Sequence, residues 1–129
     1  MSSLRTIADC SAANRVPAPR YRSSSVRQAI EPAVATVFDV DLEDLRAPTR
    51  GSARAAFARQ VAMYLAHVVC GLTLTEVGML FARDPTTVAH ACGVVEDRRD
   101  DPDLDLRLGH LERAVSSLID ALAWRRAAR

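Results

Sequence analysis

Two helix-start signals in the middle of the chain constrain its fold more than any other feature. In "TLTE", Thr73 and Glu76 stand in capping-box register, where the hydroxyl and the carboxylate each satisfy a free backbone N–H. In "RDPTT", Asp84 can accept from free N–H groups, and Pro85 stands where a helix needs no N–H. The two signals predict a short helix, a tight turn and a second helix that opens with polar residues. This is the outline of a helix-turn-helix.

The two helices of this unit are predicted over about residues 74–81 and 85–98, with a turn of three or four residues between them. A longer helix precedes them. Ser52 opens it, it spans about residues 53–70, and Gly71 ends it. Its apolar stripe marks a core face and comprises Phe57, Val61, Tyr64, Leu65 and Val68.

The region upstream carries a helical pattern that a proline interrupts. Ile30 and Val34 fall at helical spacing, and Pro32 lies between them. We expect this helix to begin near Ile30, with Pro32 in its first turn, rather than at Ser25 with a kink. Asp41 then caps a short helical turn, "LEDLR", before the loop "APTRGS".

The last helix begins at a further cap-plus-proline signal, Asp101-Pro102. Its apolar residues follow heptad spacing and are Leu104, Leu108, Leu111, Val115, Leu118 and Leu122. The spacing has two interpretations: the helix packs on its own domain, or it pairs with a second copy of the chain. The second interpretation predicts a homodimer through residues 104–124.

The composition is that of one globular helical domain with an arm. Hydrophobic residues make up 49% of the chain and charged residues 26%, which is far from the composition of disordered chains. Aromatic residues make up only 5%, so the core must consist of Leu, Val and Ala, and this favours helices. We therefore predict an all-α fold with a flexible arm over residues 1–24, a helix-turn-helix domain over 25–100 and a C-terminal helix over 101–129.

The charge of the chain is nearly balanced but unevenly distributed. The net charge is +1, and all 17 basic residues are arginines. Residues 1–60 carry nine arginines and six acidic residues, whereas residues 61–129 carry eight and ten. Attraction to phosphate should therefore lie toward the N-terminal half and the "RDPTT" turn.

Several classes of protein are disfavoured. Cys10, Cys70 and Cys92 are odd in number and lack CxxC spacing, which indicates reduced thiols in the cytoplasm. The chain has no apolar run long enough to span a membrane and no signal-peptide segment, so we expect no membrane partner. It has no GxxxxGK[ST] motif, which argues against nucleotide hydrolysis.

Histidine and cysteine residues give no metal or catalytic signal. His67 and Cys70 share one predicted helix, His90 and Cys92 share another, and these spacings do not converge on four zinc ligands. Asp84 and His90 have no nucleophile and no pocket signal beside them. We predict that the chain is not an enzyme and holds no metal and no cofactor.

The segment "ARQVAMYLAHVVCGLTLTEVGMLFARDPTTVAHACGVVE", residues 58–96, resembles the C-terminal DNA-binding domain of the bacterial replication initiator DnaA. The similarity extends less clearly upstream and covers about residues 30–97 in all. "ARQVAMYL", "GLTLTEVG" and "RD-TTV-HAC" stand in the family's order and spacing. The resemblance implies an all-α fold in which the helix after Asp84 is a recognition helix that lies in the major groove of duplex DNA.

The same resemblance places DNA contacts at Arg83, Asp84, Thr86 and Thr87. The chemistry of these side chains is suited to that role, since arginine can fork onto guanine, aspartate can accept from cytosine and threonine offers a hydroxyl and a methyl group. The remaining DNA-binding candidates are Pro85, His90, Arg59, Arg54, Arg50 and Thr75. His90 either packs behind the recognition helix or donates to a phosphate.

The chain departs from the family pattern at four places. Pro85 stands at a usual histidine, and Ala82 alone replaces a Gly-Gly pair. Phe57 stands where the family has an arginine for the minor groove, and Arg54 lies one turn earlier. The basic pair after "HAC" is replaced by Gly93-Val94, which removes expected phosphate contacts.

Two functions remain open. In the first, the protein binds specific double-stranded DNA and regulates replication initiation or transcription from the nucleoid in the cytoplasm. In the second, DNA binding is weakened or lost, and the protein is an adaptor that binds replication-initiation proteins. The "RDPTT" turn favours the first function. The near-zero net charge and the lost basic residues favour the second.

Overall fold

The computed structural model describes residues 23–47 and 51–127, and all regular structure within them is helical. Six helices follow one another: α1 Ser23–Phe38, α2 Leu42–Arg46, α3 Ala53–Val68, α4 Leu74–Phe81, α5 Pro85–Arg98 and α6 Pro102–Ala127. The predicted all-α class is thus confirmed. Residues 1–22 of the predicted arm and Arg50 of the predicted site lie outside the described residues. In the part of the chain that is described, no helix is both long and apolar enough to cross a membrane.

Helix α1 starts earlier than expected. It begins at Ser23 and runs continuously through Pro32, so the predicted start near Ile30 is wrong. Both Val26 and Ile30 are fully buried, and burial of each such side chain is worth about 1.5–3 kcal/mol, which offsets the roughly 3 kcal/mol that an internal proline costs. Pro32 and Gln28, whose carbonyl loses its helical partner at Pro32, are both exposed, so water can satisfy that carbonyl.

The predicted caps of α3 and α4 are present. The Ser52 hydroxyl accepts from the Ala55 N–H at 3.1 Å. Thr73 and Glu76 form the full capping box: the Thr73 hydroxyl accepts from the Glu76 N–H at 3.1 Å, and the Glu76 carboxylate accepts from the Thr73 N–H at 2.8 Å. Helix α3 ends at Val68, two residues before its predicted end. Gly71 follows with a φ of +73°, the left-handed conformation that glycine adopts without strain.

Helix α3 is the centre of the core, and α1 and α5 are the long helices that pack on it. Val61, Ala62 and Leu65 on α3 are buried, and α1 and α5 both pack directly on this helix. The short α2 packs against α1 and α3, and α4 packs mainly against α5. This arrangement packs α4 and α5 against each other on the surface of one continuous core.

Helix α6 uses most of its heptad residues within the chain. It packs against α1, and the side chains buried there are Leu104, Leu108, Leu111, Val115 and Ile119. Of the two interpretations of the heptads, packing on the same domain is therefore the one that the structure supports. Leu118 stays 46% exposed, outside this contact. The homodimer remains a prediction, but most of the apolar stripe that suggested it is buried within the chain.

Candidate nucleic-acid interface

The N-terminus of α5 is an open helix end. Asp84 occupies the N-cap position with φ −66° and ψ 148°, and Pro85 is the first helical residue, as predicted. The Asp84 side chain, however, makes no cap hydrogen bond, so the prediction that its carboxylate accepts from the first turn is wrong. Thr86 and Thr87 are exposed, so water can satisfy their N–H groups and the helix does not require the side-chain cap. Both the carboxylate and this first turn can therefore face a ligand.

The exposed face of α5 carries most of the predicted recognition residues. Asp84, Pro85, Thr86, Thr87 and His90 are exposed. The opposite face is buried in the core and comprises Val88, Ala91, Cys92 and Val95. His90 does not pack behind the helix, so that interpretation is wrong. The structure brings these five polar or cyclic side chains onto one surface of a firmly packed helix.

Arg83 lies in the turn before α5 and is held by the end of α4. Its Nη1 donates to the carbonyl of Phe81 at 3.2 Å and to that of Ala82 at 3.1 Å. These carbonyls belong to the C-terminal end of a helix, where a cation is favourable. Its Nε and Nη2 make no hydrogen bond to the described residues, so one edge of the guanidinium is available for a forked contact.

The turn between α4 and α5 is tight because of two residues. Ala82 adopts a left-handed conformation, with φ 56° and ψ 51°, at the position where the family has glycine. Gly78 lies against the turn: the Arg83 N–H donates to its carbonyl at 2.8 Å, and a Cβ at this position would clash with the Arg83 carbonyl oxygen. Gly78 therefore allows the close approach that aims α5.

Two further predicted residues converge on this surface from other helices. Thr75 on α4 lines a groove with Met79, Arg83, Asp84 and Thr87, and Met79 is 79% exposed there. Sequence reasoning did not select Met79, although its position one turn after Thr75 places both on the same helix face.

Arg59 on α3 approaches the surface from behind the turn. Its Nη1 donates to the carbonyl of Asp44 at 2.8 Å. Burial and the nearby positive charge of Arg83 lower the pKa of Arg59, and Asp44 opposes this shift. Arg59 and Arg83 are thus like charges held close together, an arrangement that an anion would stabilise.

Arg54 and Phe57 do not join the surface. Arg54 is exposed at the start of α3, and its Nη1 is 3.8 Å from the Asp39 Oδ2. Phe57 is buried, with its ring edge-to-face with Phe38 at a centroid distance of 5.8 Å and the Arg98 guanidinium 4.3 Å from its centroid. Arg54 and Phe57 line a groove with Arg98, beside the C-terminal end of α5, so Arg54 lies apart from the recognition residues.

Sequence reasoning missed a cluster formed by Arg27, Glu31 and Arg46. These three residues line a pocket together with Arg59 and Arg83. The Arg27–Glu31 pair has the i,i+4 spacing of a helical ion pair and could have been found from that signal. Arg46 comes from α2 and could not, because its contact depends on how α2 packs against α1.

The described part of the chain contains no cluster of side chains suited to binding a metal ion. Within residues 23–47 and 51–127, no three side chains of His, Cys, Asp or Glu lie close enough to hold a metal ion. His67 is buried in the core, where its Nδ1 is 2.7 Å from the carbonyl of Leu72. Cys70 and Cys92 are buried and are not joined in a disulfide.

The packed α3–α4–α5 unit and its open recognition surface define the helix-turn-helix class of protein. Comparison with known proteins gives the family. The chain belongs to the family of bacterial DnaA helix-turn-helix domains, because the family model "Bacterial dnaA protein helix-turn-helix" matches residues 27–95. The predicted resemblance is thereby confirmed.

Individual relatives agree with this assignment. The chain is 38% identical over 101 residues to chromosomal replication initiator protein DnaA 1 of Protochlamydia amoebophila. This alignment covers 78% of the chain and 22% of that protein. It is 38% identical over 81 residues to chromosomal replication initiator protein DnaA 2 of Chlamydia trachomatis serovar D, covering 63% and 17%. A solved structure titled as a DNA replication initiation factor matches with a TM-score of 0.65 and 34% identity, covering 75% of the chain and 30% of that structure. The chain thus spans about a fifth of the length of these two initiators.

Proposed function

We propose that the chain binds double-stranded DNA at specific sequences through α5 and thereby regulates replication initiation or transcription in the nucleoid. The observation that carries this proposal is the exposed first turn of α5, from Asp84 to Thr87, on a helix that packs against α3. Membership of the DnaA helix-turn-helix family supports it. The proposal includes no catalytic step, metal or cofactor.

The roles of the side chains follow from their chemistry. The free edge of Arg83 can donate two parallel hydrogen bonds to the O6 and N7 of a guanine. The Asp84 carboxylate can accept from a cytosine amino group, and Thr86 and Thr87 can contact a phosphate or a thymine methyl group. His90 lies one turn after Thr86 on the exposed face and is assigned to a phosphate. The free N–H groups and the positive dipole end of α5 also favour a phosphate.

Selection from random duplexes at a stated salt concentration, followed by binding measurements on the selected site, tests the proposal. Arg83→Ala should weaken binding to that site by about 1–3 kcal/mol. Arg107→Ala is the matched control, because Arg107 is an exposed arginine beside the opposite end of α5. Equal binding by wild type and Arg83→Ala across several sites would contradict the role of Arg83.

A second candidate function is an adaptor that binds replication-initiation proteins, with little or no DNA binding. The buried Phe57, in place of a minor-groove arginine, favours it, as do Gly93 and Val94 in place of a basic pair. The two functions separate at low salt. The adaptor predicts little or no shift of any duplex at 50 mM salt and no effect of Arg83→Ala, whereas the DNA-binding function predicts a clear shift that Arg83→Ala reduces.

The homodimer through residues 104–124 is now a narrower proposal. Its support is the exposed Leu118, since the heptad residues before it are buried in the chain's own core and Leu122 is half-buried. Light scattering at micromolar concentration should then give a mass near twice 14.0 kDa that falls to one copy in Leu118→Lys. A monomeric wild type would remove the pairing from the proposed function.

A further inference from the structure

Four arginines share a pocket with a single buried carboxylate beside the recognition surface, and they extend that surface beyond the helix-turn-helix. Arg27, Arg46, Arg59 and Arg83 line one pocket with Glu31. The side chains that line this pocket carry four positive charges and one negative charge, and Asp44 also acts on Arg59. This surplus lies next to the N-terminal end of α5. The inference below rests on the proposed DNA binding.

Glu31 fixes the geometry of the cluster. Its carboxylate is only 2% exposed, and a buried charge of this kind requires partners. The Arg27 guanidinium donates to Oε2 at 2.6 and 2.9 Å, and Arg46 Nε donates to Oε1 at 2.9 Å. Both carboxylate oxygens are therefore occupied by arginines from different helices.

The two arginines differ in what remains free. Arg27 is fully engaged, since its Nη1 also donates to the carbonyl of Leu80 at 3.3 Å and its guanidinium lies 5.5 Å from the centroid of the Phe81 ring. Arg46 is bound through Nε alone, and its side chain is 53% exposed. Its two terminal nitrogens make no hydrogen bond to the described residues, so they present an oriented pair of donors to solvent.

The surroundings of Arg46 favour an anion. Arg59 and Arg83 are like charges that repel one another, and burial together with this repulsion lowers the pKa of Arg59. A singly charged phosphodiester placed against the outer side of this cluster would relieve that repulsion and accept from the free donors. The duplex supplies such groups along both sides of the groove that α5 would enter, so the backbone of bound DNA is the source that the position favours.

We propose that Arg46 binds a backbone phosphate of the duplex beside the groove entered by α5, and that the buried Glu31 is the positioning residue that holds Arg46 for this contact. Arg46 lies on α2, so this contact anchors the DNA from outside the helix-turn-helix. It partly replaces the phosphate contacts missing at Gly93 and Val94.

The salt dependence of binding to the selected duplex tests the contact. Arg46→Gln should reduce the slope of log affinity against log salt by about 0.9, the value for one phosphate contact. The control Arg107→Gln makes the same charge change on an exposed residue beside the opposite end of α5 and should leave the slope unchanged. Equal slopes for Arg46→Gln and wild type, or equal losses in both variants, would overturn the proposal.

Glu31→Gln separates positioning from charge. This variant raises the net charge by one, so charge alone predicts tighter DNA binding. Positioning predicts weaker binding, because the amide no longer holds Arg46 by an ion pair. Binding is compared at a temperature where circular dichroism shows wild-type helix content in both proteins. Tighter or unchanged binding by folded Glu31→Gln would overturn the positioning role, while Arg46→Gln tests the contact independently of it.

Two further outcomes keep this inference apart from the proposed function. Wild-type binding that Arg83→Ala weakens and Arg46→Gln does not would leave the proposed function intact and overturn the Arg46 contact. Absence of any binding to the duplex would overturn both. Inorganic phosphate, added at constant ionic strength, should compete no better than chloride; strong competition that Arg46→Gln abolishes would assign the site to a free anion instead.

Discussion

At the N-terminal end of α5, Asp84, Pro85, Thr86 and Thr87 are exposed. Arginines from α1, α2 and α3 line a pocket next to this end, together with Arg83. At the other end, the side chains are tied to one another. Arg99 donates to Asp105 at 2.6 Å, to Glu112 at 2.7 Å and to the Tyr64 hydroxyl at 2.9 Å. The exposed acidic residues around that end are Asp97, Asp100, Asp101, Asp103 and Asp105.

The comparison separates two uses of charge on a single helix. The C-terminal end satisfies its charges internally and joins α5 to α6. Burial by itself would lower the pKa of Arg99, but hydrogen bonds with Glu112 and Asp105 raise it. The N-terminal end leaves donors and a carboxylate without partners of that kind. An internally paired, acidic end is poorly suited to phosphate, so the difference supports our proposal that DNA binds at the N-terminal end.

Preventing the close approach of Gly78 to the Arg83 carbonyl should have the largest effect on the stability of the N-terminal end. A Cβ at position 78 would clash with the Arg83 carbonyl, so Gly78→Ala should lower the free energy of unfolding by about 2–3 kcal/mol and misplace the N-terminal end. Gly93→Ala is the matched control. Its Cβ meets no atom within 4 Å, and it should stabilise by up to about 1 kcal/mol through helix propensity. Urea unfolding measures both, and equal signs for the two variants would contradict the packing argument.

Removing hydrogen bonds at the C-terminal end of α5 should lower the free energy of unfolding by a smaller amount. The Tyr64 hydroxyl accepts from Arg99 and donates to the Glu96 Oε2 at 3.3 Å, so Tyr64→Phe should cost about 1–2 kcal/mol at neutral pH. DNA binding by the folded variant should be unchanged, because this network lies at the end of α5 assigned no contact. A loss of affinity as large as that of Arg83→Ala would break the comparison.

The same residue makes stability depend on alkaline pH. Burial raises the pKa of Tyr64 to about 12 from its ordinary value of 10. The fold therefore favours the protonated phenol, and its contribution is fully present below pH 10 and is lost as the pH rises toward 12. Urea unfolding at pH 8 and pH 11 should show a larger loss of stability in wild type than in Tyr64→Phe. Identical losses would contradict the shift.

Relieving the backbone strain at Ala82 should stabilise the turn that precedes the N-terminal end of α5. Ala82 holds a left-handed conformation that disfavours any side chain, so Ala82→Gly should stabilise the protein by about 0.5–1 kcal/mol. The gain is limited because glycine also increases the entropy of the unfolded chain. A lower midpoint in thermal unfolding would show that the alanine methyl group makes a contact worth more than the strain.

Adding charge along α5 should have the smallest effect. Gly93 is exposed and has open space at its Cβ, so Gly93→Arg restores a basic residue of the family without a clash. The slope of log affinity against log salt should become steeper by about 0.9, which changes the affinity lost between 50 and 200 mM salt by about threefold. An unchanged slope would place position 93 away from the DNA backbone.

Features set by neighbouring residues could be predicted from the sequence. The hydroxyl of Thr73 and the carboxylate of Glu76 cap α4 because both partners lie within one helical turn. Ser52 and the Asp84-Pro85 pair likewise mark helix starts at the right positions. The family resemblance gave the order of α3, α4 and α5, because their motifs are local too.

Features set by tertiary packing could not be predicted. The start of α1 depends on the burial of Val26 against the core, which outweighs the local signal of Pro32. The contact of Arg46 with Glu31 joins residues fifteen positions apart on different helices. Whether His90 is exposed, and whether the Asp84 carboxylate makes a cap hydrogen bond, depends on which face of α5 the core covers. At the candidate site, the sequence predicted which residues stand at the start of α5 but not how their side chains are oriented.

The anchored guanidinium of Arg83 has a consequence for the thermodynamics of recognition. A free arginine side chain loses about 2 kcal/mol of rotamer entropy when it is fixed on a ligand. Two carbonyls of the α4 end already restrain Arg83 through Nη1, so part of that loss is incurred during folding rather than at the moment of contact. Calorimetry of wild type and Arg83→Lys should therefore show a less unfavourable entropy of binding for the arginine, because lysine has no second edge to offer while one edge is held.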